Sequence, residues 1–273
     1  PTKEMAKGTK ILYAVTGLGF LFDGQSKKAA LLRLCTFPFL RWVFDKDKSS
    51  IIVQNPDDKE TLIKNSLAAE DKITVIKGSG VDLDQFPYSP APQTKTPIIL
   101  LATRLLKEKG VMEYCEAARL LKEKGVHAEF RLAGSFDVTN PNTLHEEDIK
   151  PYIADKSIHF MGHVTNMPDC MRHAHIIALP SYYREGVPKV LLEAAAIGRP
   201  IVTTDHLGCR EVVDHGKNGL LVPIKNPQVL AQALERLIIN KDTRIEMGKA
   251  SRVKAEAQFS SAEVAKKTCD FYE

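Results

Sequence analysis

One stretch constrains this chain more than any other: Pro180-Ser181-Tyr182-Tyr183-Arg184-Glu185-Gly186-Val187-Pro188-Lys189-Val190-Leu191-Leu192-Glu193. The apolar run from His175 to Leu179 reads as a strand. A short polar loop follows, turns at Gly186, and enters a helix expected to start at Pro188. Proline suits the first helical position, because its ring presets φ and its missing N–H would have had no partner there. The helix is Ala-rich, and Gly198-Arg199-Pro200-Ile201-Val202 reads as the next strand. Strand, loop, helix, strand is one βαβ unit. In such units the ligand-facing loop follows the carboxyl end of a strand.

Two carboxylates mark the helix start. Glu185 stands just before it, and Glu193 lies one to two turns inside at a rise of about 1.5 Å per residue. The backbone N–H groups of Gly186 and Val187, with the helix dipole, are expected to receive anionic or hydroxyl-rich ligands. An isolated pair of glutamates at this spacing is ordinarily a solvated helix start. The βαβ order around this pair makes it a candidate site.

The run PSYYREGVPKVLLEAAAIGRPIVTTD resembles the signature of retaining glycosyltransferases of family GT4, which have the GT-B fold. The resemblance extends from about Ile11 to the C-terminus. It is strongest to bacterial members that build lipid-linked oligosaccharides or surface polysaccharides. It implies an α/β chain with Rossmann-like parallel sheets and helices on both faces. It also implies a hexosyltransferase that moves a sugar from a nucleotide diphosphate onto an acceptor hydroxyl. The expected division is a partial acceptor-side domain with linker over 1–92, a complete donor-binding domain over 93–257, and a helix over 258–273 that crosses back. Roughly the first hundred residues of the usual acceptor-side domain are expected to be absent. The start at Pro1, without methionine, fits a trimmed chain.

Composition excludes other classes. Apolar residues make up 44%, ordinary for a globular protein. A net charge of +4 is too mild to argue for nucleic acid. The cysteines, Cys35, Cys115, Cys170, Cys209 and Cys269, are odd in number and dispersed, which favours reduced thiols in a cytoplasmic protein. No apolar run approaches the roughly 20 residues of a spanning helix, and no signal peptide is evident.

Along the chain, Pro1 to Lys10 is polar and basic, and Ile11-Leu12-Tyr13-Ala14-Val15 reads as a buried strand. Thr16-Gly17-Leu18-Gly19 suggests a dinucleotide fingerprint, but position 22 is Phe22 where the third glycine belongs. Lys27 to Phe44 mixes Leu, Phe and Trp42 with Lys27, Lys28, Arg33 and Arg41, and Pro38 is expected to break it into two helices. A core helix with basic ends is the plainer reading, and a basic, aromatic face for anionic lipid is the alternative. Ile51 to Gln54 is a strand, Asn55-Pro56-Asp57 caps a helix from Asp57 to about Leu67, and Ile73 to Ile76 is a further strand.

Asp82 and Asp84 form a D-x-D after a Gly-rich turn, read here as a structural turn and not as a metal site. Pro87, Pro90, Pro92 and Pro97 mark a linker. Ile98 to Ala102 is a near-continuous apolar strand of the kind a covered parallel sheet needs. Thr139 to Ile153 reads as an acidic insertion forming a lid or surface helix. Ile158 to Val164 is a strand and turn, and Asn166 to His173 is a short helix. Asn218-Gly219 turns into a strand. Helices follow over Asn226–Ile239, Lys241–Gln258 and Ser261–Tyr272, the last capped by Ser260.

Arg104 and Lys109 lie in a strand-to-helix loop that suits a diphosphate, since Arg can grip it bidentately and Lys adds a point charge. The resemblance assigns both to the diphosphate, with Thr103 replacing the family's usual glycine. It also implies that Glu193 holds the ribose hydroxyls and Glu185 a hydroxyl of the donor sugar. Gly186, Val187 and Pro188 complete that loop, Gly134 belongs to the nucleotide pocket, and Val164 lies at the base edge. His163 is the alternative at that turn, as a general base. No metal or cofactor is expected. Implied partners are a nucleotide sugar, most simply UDP-linked, an undecaprenyl diphosphate-linked saccharide, and peripheral contact with the inner face of the membrane. Competing readings are a nucleotide-sugar-binding module without turnover and a sugar-nucleotide epimerase.

Overall fold

The computed structural model describes residues 10–19, 22, 27–46 and 49–270. The polar stretch before Lys10, the side chains of Lys27 and Lys28, and the expected end of the last helix at Tyr272 lie outside the described residues.

The chain begins with a parallel sheet of three strands, β1 (Ile11–Val15), β2 (Ser49–Val53) and β3 (Ile73–Val75), in that order. Helix α1 (Lys27–Phe44) joins the first two strands and runs unbroken through Pro38, against expectation. Proline forfeits one backbone hydrogen bond. Tertiary packing offsets that loss: Phe37, Leu40, Val43 and Phe44 all pack into the small core over this sheet. Arg41 adds bonds to the carbonyls of Ser66 (2.6 Å) and Asn65 (3.0 Å). The other side of α1 leaves Leu31, Leu34, Phe39 and Trp42 exposed.

Helix α2 (Pro56–Lys64) starts one residue earlier than read, because Asn55 is its cap and accepts the Asp58 N–H at 2.7 Å. Asp82 Oδ1 accepts the N–H groups of Asp84 (2.9 Å) and Gln85 (3.1 Å), so this carboxylate builds a turn. The proline-rich stretch that follows is pinned. The guanidinium of Arg199, fully buried, donates to the carbonyls of Ser89 (2.6 Å) and Pro90 (3.4 Å).

The second sheet has six parallel strands in the order β6-β5-β4-β7-β8-β9. They are β4 (Ile98–Ala102), β5 (Glu129–Ala133), β6 (His159–Gly162), β7 (Ile176–Leu179), β8 (Ile201–Thr204) and β9 (Gly219–Val222). Every residue of β4 is buried, as its apolar run requires of a sheet covered on both faces. The helices are α3 (Val111–Glu123), α4 (Glu146–Ala154), α5 (Met167–Arg172), α6 (Lys189–Ile197), α7 (Cys209–Val212), α8 (Pro227–Ile239), α9 (Lys241–Gln258) and α10 (Ser261–Asp270). Helix α3 packs against α4 and α8, and α6 packs against α5 and α9.

The segment over Thr139–Ile153, expected as a lid or surface helix, is helical only from Glu146, and α4 is a surface helix with one buried anchor. Its Ile149 is fully buried, so the helix is held by the core. At the other end, Val81 pairs with the start of α10. Its N–H reaches Phe259 O (2.7 Å), and its carbonyl accepts from Ser261 (2.9 Å).

Candidate functional site

The strand order reverses between β4 and β7, with β5 and β6 on one side and β8 and β9 on the other. Ligands of open α/β sheets bind at such a switch point, beyond the carboxyl ends of the strands. The loop after β4 carries Arg104 and Lys109, and the loop after β7 is the Pro180–Pro188 stretch. The two loops are knitted together. Tyr182 N–H donates to Glu108 O at 2.8 Å, and the Ser181 hydroxyl donates to the same oxygen at 3.3 Å. Gly110 caps α3 with φ +74°, and any Cβ there would run into the Pro180 carbonyl.

Lys109 and Glu185 meet here. Lys109 Nζ is 2.5 Å from Glu185 Oε1, with side chains only 8% and 22% exposed. The ammonium also stands 5.1 Å from the centre of the Tyr183 ring, over its face. Arg104 is exposed and pairs instead with Asp137 Oδ2 at 3.1 Å. The Asp137 carboxyl lies below its usual range, held there by the Thr139 hydroxyl and by Arg104. Glu193, on α6, is half-buried, and burial pushes its carboxyl up to about 7, against the pull of Lys189. Hydroxyl donors at Glu193 would favour its charged form.

The amides of Gly186 and Val187 do not face an open site. Gly186 N–H donates to Thr16 O at 3.0 Å, and Val187 N–H donates to Gln54 Oε1 at 3.0 Å. Thr16 follows β1 and Gln54 follows β2, so the first sheet caps this loop. A Cβ at Gly186 would overlap both Thr16 O and Gln54 Oε1. Pro188 also departs from expectation. With ψ 120° it is the cap of α6, and the helix starts at Lys189. Gly134 closes the ends of β5 and β6 by donating to Gly162 O at 2.8 Å. Val164 is half-buried and packs on the main core, whereas His163 is exposed. Cys209 is fully buried and burial raises its thiol to about 11, in keeping with a packing role.

Sequence reasoning missed Gln54, Glu108 and Arg184. Arg184 reaches the first sheet's helix, donating to Thr61 Oγ1 at 2.7 Å and standing 3.7 Å from Asp58 Oδ1. The adjacency of Arg184 to Glu185 was a usable signal, but nothing local marks Gln54. Among the described residues, no group of three or more His, Cys, Asp and Glu could hold a metal ion. No described helix is long and apolar enough to cross a membrane.

Residues 84–254 match the family model described as "Glycosyl transferases group 1", which is more than half of the chain. The N,N'-diacetylbacillosaminyl-diphospho-undecaprenol alpha-1,3-N-acetylgalactosaminyltransferase of Campylobacter jejuni is 30% identical over 259 residues, covering 89% of this chain and 66% of that protein. The capsular polysaccharide biosynthesis glycosyltransferase CapM of Staphylococcus aureus is 25% identical over 224 residues, covering 78% and 58%. The chain thus spans 66% and 58% of the length of these relatives. Among solved structures, sucrose-phosphate synthase from Thermosynechococcus elongatus superposes with a TM-score of 0.79 at 20% identity, covering 98% of this chain and 69% of that one. HepE of Anabaena, solved with UDP, superposes with a TM-score of 0.78 at 16% identity, covering 98% and 73%. At these identities the likeness establishes the fold, which is of GT-B type.

Proposed function

We propose that this chain, which belongs to the glycosyl transferases group 1 family, transfers a sugar from a nucleotide diphosphate to a lipid-linked saccharide. The donor is UDP-hexose or UDP-N-acetylhexosamine, and the reaction retains anomeric configuration, as in family GT4. The observation that carries this reading is the Lys109–Glu185 contact at the switch point between β4 and β7. One cation for a diphosphate and one carboxylate for a sugar hydroxyl stand together where this sheet receives ligands.

In this reading Lys109 and Arg104 stabilise the charge of the departing diphosphate. Glu185 orients the donor sugar, and Glu193 accepts the ribose hydroxyls. Gly134 and Val164 border the nucleotide, while Gly186, Val187 and Pro188 shape the loop that carries Glu185. The leaving phosphate assists deprotonation of the acceptor in a front-face displacement, and no metal takes part. Residues 1–92 serve the acceptor side, 93–257 the donor, and 258–273 join the two. The acceptor is an undecaprenyl diphosphate-linked saccharide at the cytoplasmic face of the membrane. The exposed apolar residues of α1 supply the peripheral contact with that face.

Calorimetric titration with UDP, on the parent and on Glu193→Ala, tests the pocket. We expect saturable binding that weakens by about 1–3 kcal/mol in the variant, the cost of leaving bound hydroxyls unpaired. Absence of binding to UDP, GDP and ADP by the folded chain would overturn the reading. Binding of UDP without transfer to any lipid-linked acceptor would leave a nucleotide-sugar-binding module.

A further inference from the structure

A cavity of about 620 Å³ lies at the amino ends of β4 and β5, between the linker, the loop that precedes β5, and the junction of α8 with α9. Lys109 and Glu185 follow the carboxyl ends of their strands, so this cavity is at the opposite edge of the sheet, and none of the roles above uses it. Its ionisable walls are Lys95, His127, Lys241 and Arg244, with no carboxylate among the described residues that line it.

Arg244 is recessed, with only 6% of its surface exposed. Its Nη1 donates to the carbonyls of Leu237 (2.6 Å) and Ile238 (3.0 Å), which closes the end of α8. Its Nε is enclosed, so no ligand reaches it. Nη2 is neither bonded among the described residues nor enclosed, and it opens on the cavity. Burial pulls this guanidinium below its ordinary value, and no described carboxylate offsets that. The uncompensated charge is felt at His175, whose imidazole is pushed down to about 4 by burial first and by Arg244 second. Lys95 and His127 are exposed and have no partner among the described residues, and Lys241 reaches Gln93 Oε1 only at 3.4 Å. Helix α9 starts beside them without a side-chain cap, because Asn240 turns its amide back to Arg236 O. Its first amides therefore lack an acceptor from the cap, at the positive end of the helix dipole. Asp242, in the same turn, is exposed and is not a wall of the cavity.

Basic groups from three segments, one of them a recessed guanidinium, select a multivalent anion. A metal ion would be repelled, and a single carboxylate would meet Arg244 and leave the lysines unused. A phosphoryl dianion gives the guanidinium a face to bond and gives the lysines its remaining oxygens. Val126 and Ile239 supply an apolar wall for whatever the phosphoryl group is attached to, and the volume is ordinary for a small-molecule site. We infer that this cavity binds a small phosphate monoester, with Lys95, Lys241 and Arg244 on the phosphoryl group. The recess of Arg244 favours a soluble solute over a bilayer, whose headgroups present a broad surface of singly charged phosphodiesters. The site lies far from the switch point, so it can be filled while the donor pocket is occupied. It stands independently of the glycosyl-transfer reading.

Amide NMR on the whole chain tests this, with phenyl phosphate and inorganic phosphate as probes and sodium chloride of equal ionic strength as the control. We expect saturable shifts at the amides of Gly125, Val126, His127, Lys241 and Asp242. Binding should weaken about tenfold or more in the surface double variant Lys95→Ala, Lys241→Ala, which leaves the packing of Arg244 intact. Affinity for UDP, followed by calorimetry, should be the same in that variant as in the parent. No saturable shift at these amides with either probe, or shifts reproduced by sodium chloride alone, would overturn the site. Unchanged phenyl phosphate affinity in the double variant would do the same. Cosedimentation with phosphatidylglycerol vesicles that the double variant loses, without a response to either free probe, would replace the soluble ligand by a membrane surface and overturn the inference. Phenyl phosphate binding at these amides in a chain that does not bind UDP would support this site and count against the nucleotide reading alone.

Discussion

Lys109 Nζ lies 2.5 Å from Glu185 Oε1, although the two residues belong to different strand-to-helix loops. Both side chains are largely withdrawn from water, so each charge depends on the other for compensation. Glu185→Ala would leave the Lys109 ammonium with the Tyr183 ring as its remaining close partner. We expect that variant to lose about 2–4 kcal/mol of stability. The double variant Lys109→Met, Glu185→Ala should lose clearly less than the sum of the two single changes. Urea denaturation of the four proteins measures the coupling, and additive losses would mean that the pair is not formed in solution.

Glu193 makes stability depend on pH. Its carboxyl titrates near 7 in the fold, above its ordinary value of 4.5, because burial penalises the charge. The unfolded chain therefore releases this proton first. Stability attributable to Glu193 falls as pH rises from about 4.5 to about 7, and is constant beyond. Glu193→Gln removes that loss. At pH 8 the variant should be more stable than the parent by roughly 1–3 kcal/mol, with no difference at pH 4. Parallel stability curves between pH 5 and 8 would show that the carboxyl is not raised. The same variant should bind UDP more weakly, separating the ligand role of the charge from its cost to the fold.

Arg199 holds the fold together by a buried fork of hydrogen bonds. Besides Ser89 and Pro90, it donates to Arg172 O at 2.8 Å and Met171 O at 3.3 Å. Burial lowers the guanidinium to about 10, so it stays charged at neutral pH. Arg199→Met would strand several carbonyls and free the linker from the sheet. We expect a loss of at least about 3 kcal/mol. Arg199→Lys should recover only part, because a point charge cannot span the same carbonyls. Thermal unfolding of both variants checks this, and a full recovery by lysine would mean that charge alone matters.

What was legible in the sequence is what local chemistry dictates. The apolar run at Ile98–Ala102 gave a covered parallel strand, and the helix read over Asn226–Ile239 starts one residue later, at Pro227, with Asn226 as its cap. Lys241–Gln258 was read with its observed limits. The glutamate-flanked loop after β7 was placed on the correct edge of the sheet. The misses share a different cause. Pro38 does not break α1, because packing against the small core outweighs one lost hydrogen bond. Thr61 lies 123 positions from its partner Arg184, and no periodicity or cap announces such a pair. How two sheets dock is decided by side chains that meet only once both are formed.

The tie between Gly186 and the first sheet is the last relationship that can be tested directly. Gly186 donates to Thr16 O and Val187 to Gln54 Oε1, each at 3.0 Å. A methyl group at position 186 would overlap both acceptors. The Gln54 side chain can swing aside, but Thr16 O is backbone, so the segment after β1 would have to retreat. Gly186→Ala should therefore cost about 1–3 kcal/mol and speed hydrogen exchange at the amides of both 186 and 187. Gln54→Ala removes only one acceptor and should cost about 1 kcal/mol, with faster exchange confined to Val187. If Gly186→Ala leaves stability and exchange at Val187 unchanged, the first sheet does not cap this loop in solution. The Gly186 and Val187 amides would then be free for a ligand, as the helix start alone implied.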